Sequence, residues 1–130
     1  MMQSPTNLGG RVSFIATEGQ RLRVFQRAYV EGDVILHDGE RVYVAPLQNL
    51  SAGGLYVEEL DAIAPGTQVR IVIKSSRLAA PVQATGTVVR VDNNGKHGSA
   101  VEFTSISSRA REIIQNCVFE SRMESTLKAL

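Results

Sequence analysis

Arg23 and Arg27 stand four residues apart in the stretch Arg23-Val24-Phe25-Gln26-Arg27. A guanidinium is a planar fork of N–H donors that keeps its charge at any physiological pH. It bonds phosphate oxygens and the acceptor edge of a purine bidentately, and its plane stacks on a base. A loop carrying two of them can clamp a compact, purine-containing diphosphate from two sides. Further along, Asn49-Leu50-Ser51-Ala52-Gly53-Gly54 offers a second set of groups. Asn49 both donates and accepts, and its side chain can fold the backbone into an Asx-type turn. Ser51 adds a small hydroxyl, while Gly53 and Gly54 supply positive φ and let a bulky ligand approach the backbone. This is binding chemistry, with no nucleophile or general base among the residues.

The remaining polar residues do not assemble a reaction centre. His37 and His97 have no Cys or carboxylate cluster at metal-ligand spacing and read as ordinary surface histidines. Glu58, Glu59 and Asp61 are neighbouring acids without a partner nucleophile, as expected of a solvated loop. There is no P-loop, zinc motif or nucleophile elbow in the sequence. No enzymatic activity, metal or cofactor is expected. Asn49-Leu50-Ser51 also fits the glycosylation acceptor pattern, a poor reading where no secretory signal is seen.

Charge narrows the ligand class. The chain of 130 residues has a formal net charge of +1, unlike the strongly basic domains that coat nucleic acid polymers. Arg11, Arg21, Arg23 and Arg27 nevertheless crowd its start, where Glu18 is the sole acid before Glu31. A basic arm on a near-neutral body suits a small anion better than a long polyanion. The only cysteine, Cys117, excludes an internal disulfide and fits a reducing compartment. The polar start lacks a signal-peptide core, and no apolar run approaches the roughly 20 residues that span a bilayer. The expectation is a cytoplasmic protein without membrane insertion.

The elements that must hold these groups read mainly as strands. Residues 1–10 form a loose tail, Arg11–Ala16 a short strand or arm, and Thr17–Arg27 an ordered loop. A first strand carries Tyr29, Val30, Val34, Ile35 and Leu36, and turns at Asp38-Gly39. Arg41–Leu47 returns, with Pro46 expected at an edge or bulge because it lacks an N–H. Gln48–Gly54 reads as a turn, Leu55–Val57 as a short strand, and Ala64–Thr67 as a turn. Val69–Lys74 is a strand with Val69, Ile71 and Ile73 on one face. Ser75–Ala80 is a loop. Val82–Val91 is a long strand that bends at Gly86. Asp92–Gly95 is a hairpin turn, and Gly98–Phe103 its return strand. Six or so short antiparallel strands joined by tight turns make a small barrel or sandwich with an aliphatic core.

The period then changes. Ser107 or Ser108 can cap a helix with Glu112 in its first turn. Ala110, Ile113, Ile114, Cys117 and Val118 make one helical face, which seals an end of the barrel. The polar stretch from Glu120 to Lys128 is expected to fray or project. The organisation is a tail (1–10), one domain (11–119) and a polar C-terminal extension (120–130).

Taken singly, two arginines four apart serve solubility and Asn-x-Ser with glycines makes a turn. Their order, spacing and strand context together resemble the PilZ family, whose signature is Arg-x-x-x-Arg followed by Asp/Asn-x-Ser-x-x-Gly. Arg23-x-x-x-Arg27 and Asn49-x-Ser51-x-x-Gly54 are both complete. The likeness runs from about Gln20 to Phe119 and includes the Pro65-Gly66 turn, Gly86-Thr87-Val88-Val89-Arg90 and Val101-Glu102-Phe103.

The resemblance implies an all-β fold with a C-terminal helix, a six-stranded antiparallel β-barrel. It also implies binding of cyclic di-GMP, with Arg23 and Arg27 meeting phosphate and guanine. Asn49, Ser51 and Gly54 would then support the other guanine, beside Gly53. Leu22, just before the first arginine, holds the position that influences whether one or two stacked ligand molecules bind. A receptor of this kind would signal to a separate, unidentified protein. The alternative is a PilZ-fold protein-interaction module that does not bind nucleotide.

Overall fold

The computed structural model describes residues 25–129. The expected tail and arm, together with Leu22 and Arg23, lie outside the described residues. The described chain forms β1 (Arg27–His37), β2 (Val42–Ser51), β3 (Gly54–Glu58), β4 (Gln68–Lys74), β5 (Val82–Asn94), β6 (Lys96–Ile106) and α1 (Ser108–Ala129). The strands close into an antiparallel barrel in the order β1-β2-β3-β6-β5-β4, with β4 pairing back onto β1 from Asp33↔Lys74 to His37↔Arg70.

Period-two alternation drives this closure. Val34 and Leu36 of β1, Val69, Ile71 and Ile73 of β4, and Val82 and Val88 of β5 all point inward and are buried. Leu50, Val57 and Val101 meet them from the other strands. Each such aliphatic side chain contributes on the order of 1.5–3 kcal/mol of burial. The expected bend at Gly86 is a register shift between Thr85 and Gly86. Pro46 pairs with Asp33 of β1, while the β2–β3 ladder begins only at Leu47 beside a register irregularity. Its missing N–H therefore lies where the second ladder has not yet started.

Two turns are tighter than their composition suggests. Gln48–Ser51, expected to be part of a turn, is the end of β2, and only Ala52 and Gly53 separate it from β3. Likewise Asp92–Asn94 belongs to β5, and Gly95 alone links it to β6. In both, the pairing partners hold polar residues in strand geometry against their local preference for turns.

Ser107 is the helix cap: its Oγ accepts the Ala110 N–H at 3.0 Å. Glu112 lies beyond the first turn, where it pairs with Arg109 at 2.8 Å. Ala110, Ile113, Ile114, Cys117 and Val118 are buried and complete the core as their spacing requires. Burial raises the pKa of the Cys117 thiol.

The polar stretch expected to fray or project does not fray: it continues the helix to Ala129. Arg77, in the β4–β5 loop, grips Glu124 through both guanidinium nitrogens, at 2.9 and 3.1 Å, and reaches Ser121 at 3.3 Å. Arg122 Nη1 donates to the Arg27 carbonyl at 3.0 Å. These partners are remote in sequence, so the local pattern cannot reveal them. None of the described helices is long and apolar enough to cross a membrane.

Candidate ligand-binding site

Outward residues of five neighbouring strands fall into register on one face of the barrel. Tyr29 pairs with Asn49, Asn49 with Tyr56, Tyr56 with Ala100, and Ala100 with Arg90. One row along, Arg27 pairs with Ser51 and Ser51 with Gly54. Their chain neighbours Ala28, Leu50, Leu55 and Val101 are buried in the core. The result is a shallow depression lined by Arg27, Asn49, Ser51, Gly54, Leu55, Tyr56, Arg90 and Ala100. Gly54 and Ala100 keep it low, and arginines from β1 and β5 border it.

Ser51 organises the β2–β3 turn. Its Oγ accepts the N–H groups of Gly53 and Gly54 at 3.1 and 3.2 Å and lies 3.3 Å from the Gly54 carbonyl, to which it donates. The residue is 2% exposed. The turn-folding role expected of Asn49 thus belongs to Ser51, because Asn49 sits within the ladder opposite Tyr29 and Tyr56. Gly53 and Gly54 are also absent from the described residues with positive φ, which include Gly39, Gly66 and Gly95. What Gly53 supplies is room: a β-carbon there would lie 2.5 Å from Cδ2 of Phe25. Phe25 comes from the arginine stretch, so its ring joins the two motifs physically.

The opposite wall is a polar lock. Tyr56 donates its hydroxyl to Asp92 Oδ2 at 2.8 Å, and Arg90 Nε donates to Asp92 Oδ1 at 3.2 Å. Burial, followed by the Asp92 hydrogen bond, pushes the Tyr56 pKa up to about 12. The Tyr56 hydroxyl in turn holds Asp92 below the usual carboxylate range, with help from Arg90. The Arg90 guanidinium lies 5.8 Å from the Tyr56 ring centroid and the Lys96 ammonium 4.7 Å. Asp92 thereby holds Arg90 at the rim.

The arrangement offers guanidinium charge, an amide edge, backbone groups and an aromatic wall. These suit a planar hydrogen-bonding group joined to an anion. The enclosed space within it, about 20 Å³, falls far below the ~300–1,000 Å³ of a complete small-molecule pocket. A larger groove of about 440 Å³ lies on the other side of the β2–β3 turn, among Phe25, Gln26, Ala52, Gln115 and Phe119. None of its described lining residues is a cation, so among the described residues the chemistry favours the smaller depression. Among the described residues no group of three or more His, Cys, Asp or Glu side chains could hold a metal. His97 instead pairs with Asp61 at 2.7 Å.

A family model described as the PilZ domain matches residues 21–120. The chain belongs to the PilZ domain family. Among solved structures, the PilZ domain of YcgR from Escherichia coli with c-di-GMP has a TM-score of 0.63 at 12% identity, covering 81% of this chain and 95% of that one. YcgR from Escherichia coli in complex with c-di-GMP has a TM-score of 0.67 at 14% identity, covering 81% of this chain and 48% of that one. The inhibitor of motility MotI/DgrA from Bacillus subtilis has a TM-score of 0.65 at 20% identity, covering 76% of this chain and 51% of that one. At these identities the likeness is one of fold, and the chain spans about half the length of MotI/DgrA. No curated protein matches it in sequence.

Of the residues singled out in the sequence, this PilZ barrel brings Arg27, Asn49, Ser51 and Gly54 together, with Gly53 in the adjoining turn. Tyr56, Arg90 and Ala100 join them without being singled out by the sequence motifs. Tyr56 lies two residues after Gly54 on the same strand face, a signal available in the sequence. Arg90 and Ala100 join through the β3–β6–β5 register, which only the folded barrel reveals.

Proposed function

We propose that this chain is a receptor for cyclic di-GMP that binds the nucleotide without altering it and signals to a separate protein. The supporting observation is the convergence of Arg27, Asn49, Ser51 and Gly54, from β1, β2 and β3, on one depression with Arg90 at its far rim. Guanidinium groups take phosphate and the guanine acceptor edge, and Asn49 suits a base edge. The depression is smaller than a complete pocket, and a second arginine of the same stretch would add cover for the ligand. Arg23 is the residue suited to that task, and Leu22 beside it would govern how many ligand molecules stack there.

Family membership and the YcgR complexes with c-di-GMP support the choice of nucleotide. A second reading, an interaction module without nucleotide, draws on the solvent-facing side of α1. Phe119, Met123 and Leu127, at i, i+4 and i+8, are 46–62% exposed there. Calorimetric titration with cyclic di-GMP, with GTP as control, separates the two. Saturable binding of cyclic di-GMP alone supports the receptor, and absence of heat and of any shift in melting temperature refutes it.

A further inference from the structure

The cationic rim of the depression continues past Arg90. On β6, Lys96, Gly98 and Ala100 alternate onto one outer face, and Ala100 lines the depression. The Tyr56 phenol crosses this face over Gly98, where a β-carbon would collide with its hydroxyl. One edge of the ring therefore borders the depression, while the Lys96 ammonium sits 4.7 Å from the ring centroid.

The two cations at this ring differ in their compensation. Arg90 is paired with Asp92, whose other oxygen already accepts from Tyr56. Among the described residues Lys96 forms no ion pair within 4.0 Å, although Asp92 feels its charge weakly, and it is exposed beside the single-residue turn at Gly95. Its contact with the ring is the weak, exchangeable kind found at exposed sites. A flexible ammonium so placed gains more from a phosphate oxygen than from an aromatic face.

We infer that Lys96 is a further anion-binding side chain of this site, leaving the Tyr56 ring to meet a phosphate of the bound nucleotide. The inference rests on the cyclic di-GMP reading above. It adds a contact from the β5–β6 hairpin, on the side of the depression opposite Arg27.

The test is calorimetric titration of the full chain with cyclic di-GMP at low ionic strength and at about 0.15 M salt, where exposed charges more than ~8 Å apart are largely screened. Lys96→Met and Lys96→Gln keep the stem and remove the charge. Each is expected to bind about five- to tenfold more weakly at low salt and with a shallower salt dependence than wild type, at an unchanged melting temperature. Lys96→Arg should restore both. A structural role through the ring would lower stability and leave the salt dependence unchanged. Wild-type affinity and salt dependence in the neutral variants, or a loss that Lys96→Arg does not recover, overturns the assignment to Lys96 while the receptor reading stands. Absence of binding by the wild type overturns both.

Discussion

The ring of Phe25 lies directly over Gly53, with no room for a β-carbon between them. Phe25 belongs to the stretch that carries Arg27, and Gly53 to the turn that follows Asn49 and Ser51. This contact sets the entry into β1 against the β2–β3 turn and so fixes where Arg27 begins its strand. Gly53→Ala is expected to destabilise the fold by about 1–3 kcal/mol, the usual cost of overpacking. In Phe25→Ala the same glycine change should be nearly neutral, because the obstruction is gone. Urea denaturation of the two single variants and the double variant measures this coupling. Additive losses would contradict it.

Ser51 and Asn49 should respond differently to truncation. Ser51→Ala leaves the Gly53 and Gly54 N–H groups without their acceptor and should cost about 1–3 kcal/mol of stability. Asn49→Ala should cost less stability and weaken ligand binding by about 0.5–1.5 kcal/mol through a lost neutral hydrogen bond. Thermal melts paired with titrations separate the two effects. A larger stability loss at Asn49 would reverse their assigned roles.

Burial of Tyr56, together with its bond to Asp92, makes stability depend on pH at both extremes. Tyr56 ionises at 10.0 when unfolded and at about 12 when folded. Its contribution is complete below pH 10.0 and drains away as pH rises towards 12. Asp92 is shifted the other way, below its ordinary 3.8, so its contribution is present above that pH and is lost as pH falls through the lower folded value. Tyr56→Phe should flatten the alkaline decline and reduce the acid one. Chemical denaturation across both ranges tests this, and unchanged profiles would mean that neither the burial of the phenol nor its bond to Asp92 shapes the pH dependence.

The last turns of α1 should be structural. A chain ending at Phe119 loses the partners of Arg77 and the Arg122 bond to the Arg27 carbonyl. A loss on the order of 1–2 kcal/mol is expected, above the 0–1 kcal/mol of a single surface ion pair. A melting temperature equal to that of the full chain would show these turns to be dispensable.

Much of this architecture is legible in the sequence because alternation and turn chemistry are local. Val69, Ile71 and Ile73 declare their strand and its inner face, and Ala110 to Val118 declare the buried helical face. Arg27, Asn49, Ser51 and Gly54 are legible through their spacing and resemblance. Arg90 is not, because its place beside Tyr56 depends on the β3–β6 and β5–β6 registers together. Nor is the helical course of Glu120–Lys128, whose polar residues find Arg77 and the Arg27 carbonyl only after folding. Composition suggests a positive φ and room for a ligand at Gly53, whereas in the fold its φ is not positive and the room is taken by Phe25.

The most direct test of a nucleotide site at Arg27 is calorimetric titration of wild type and Arg27→Ala with cyclic di-GMP. Removing a charge-assisted contact to a bound anion costs about 2–5 kcal/mol, while an exposed arginine adds little to folding. The expected result is saturable binding by the wild type, a loss of affinity of roughly thirtyfold or more in Arg27→Ala, and closely similar melting temperatures. Equal affinities in the two proteins, or no binding by either, would contradict it.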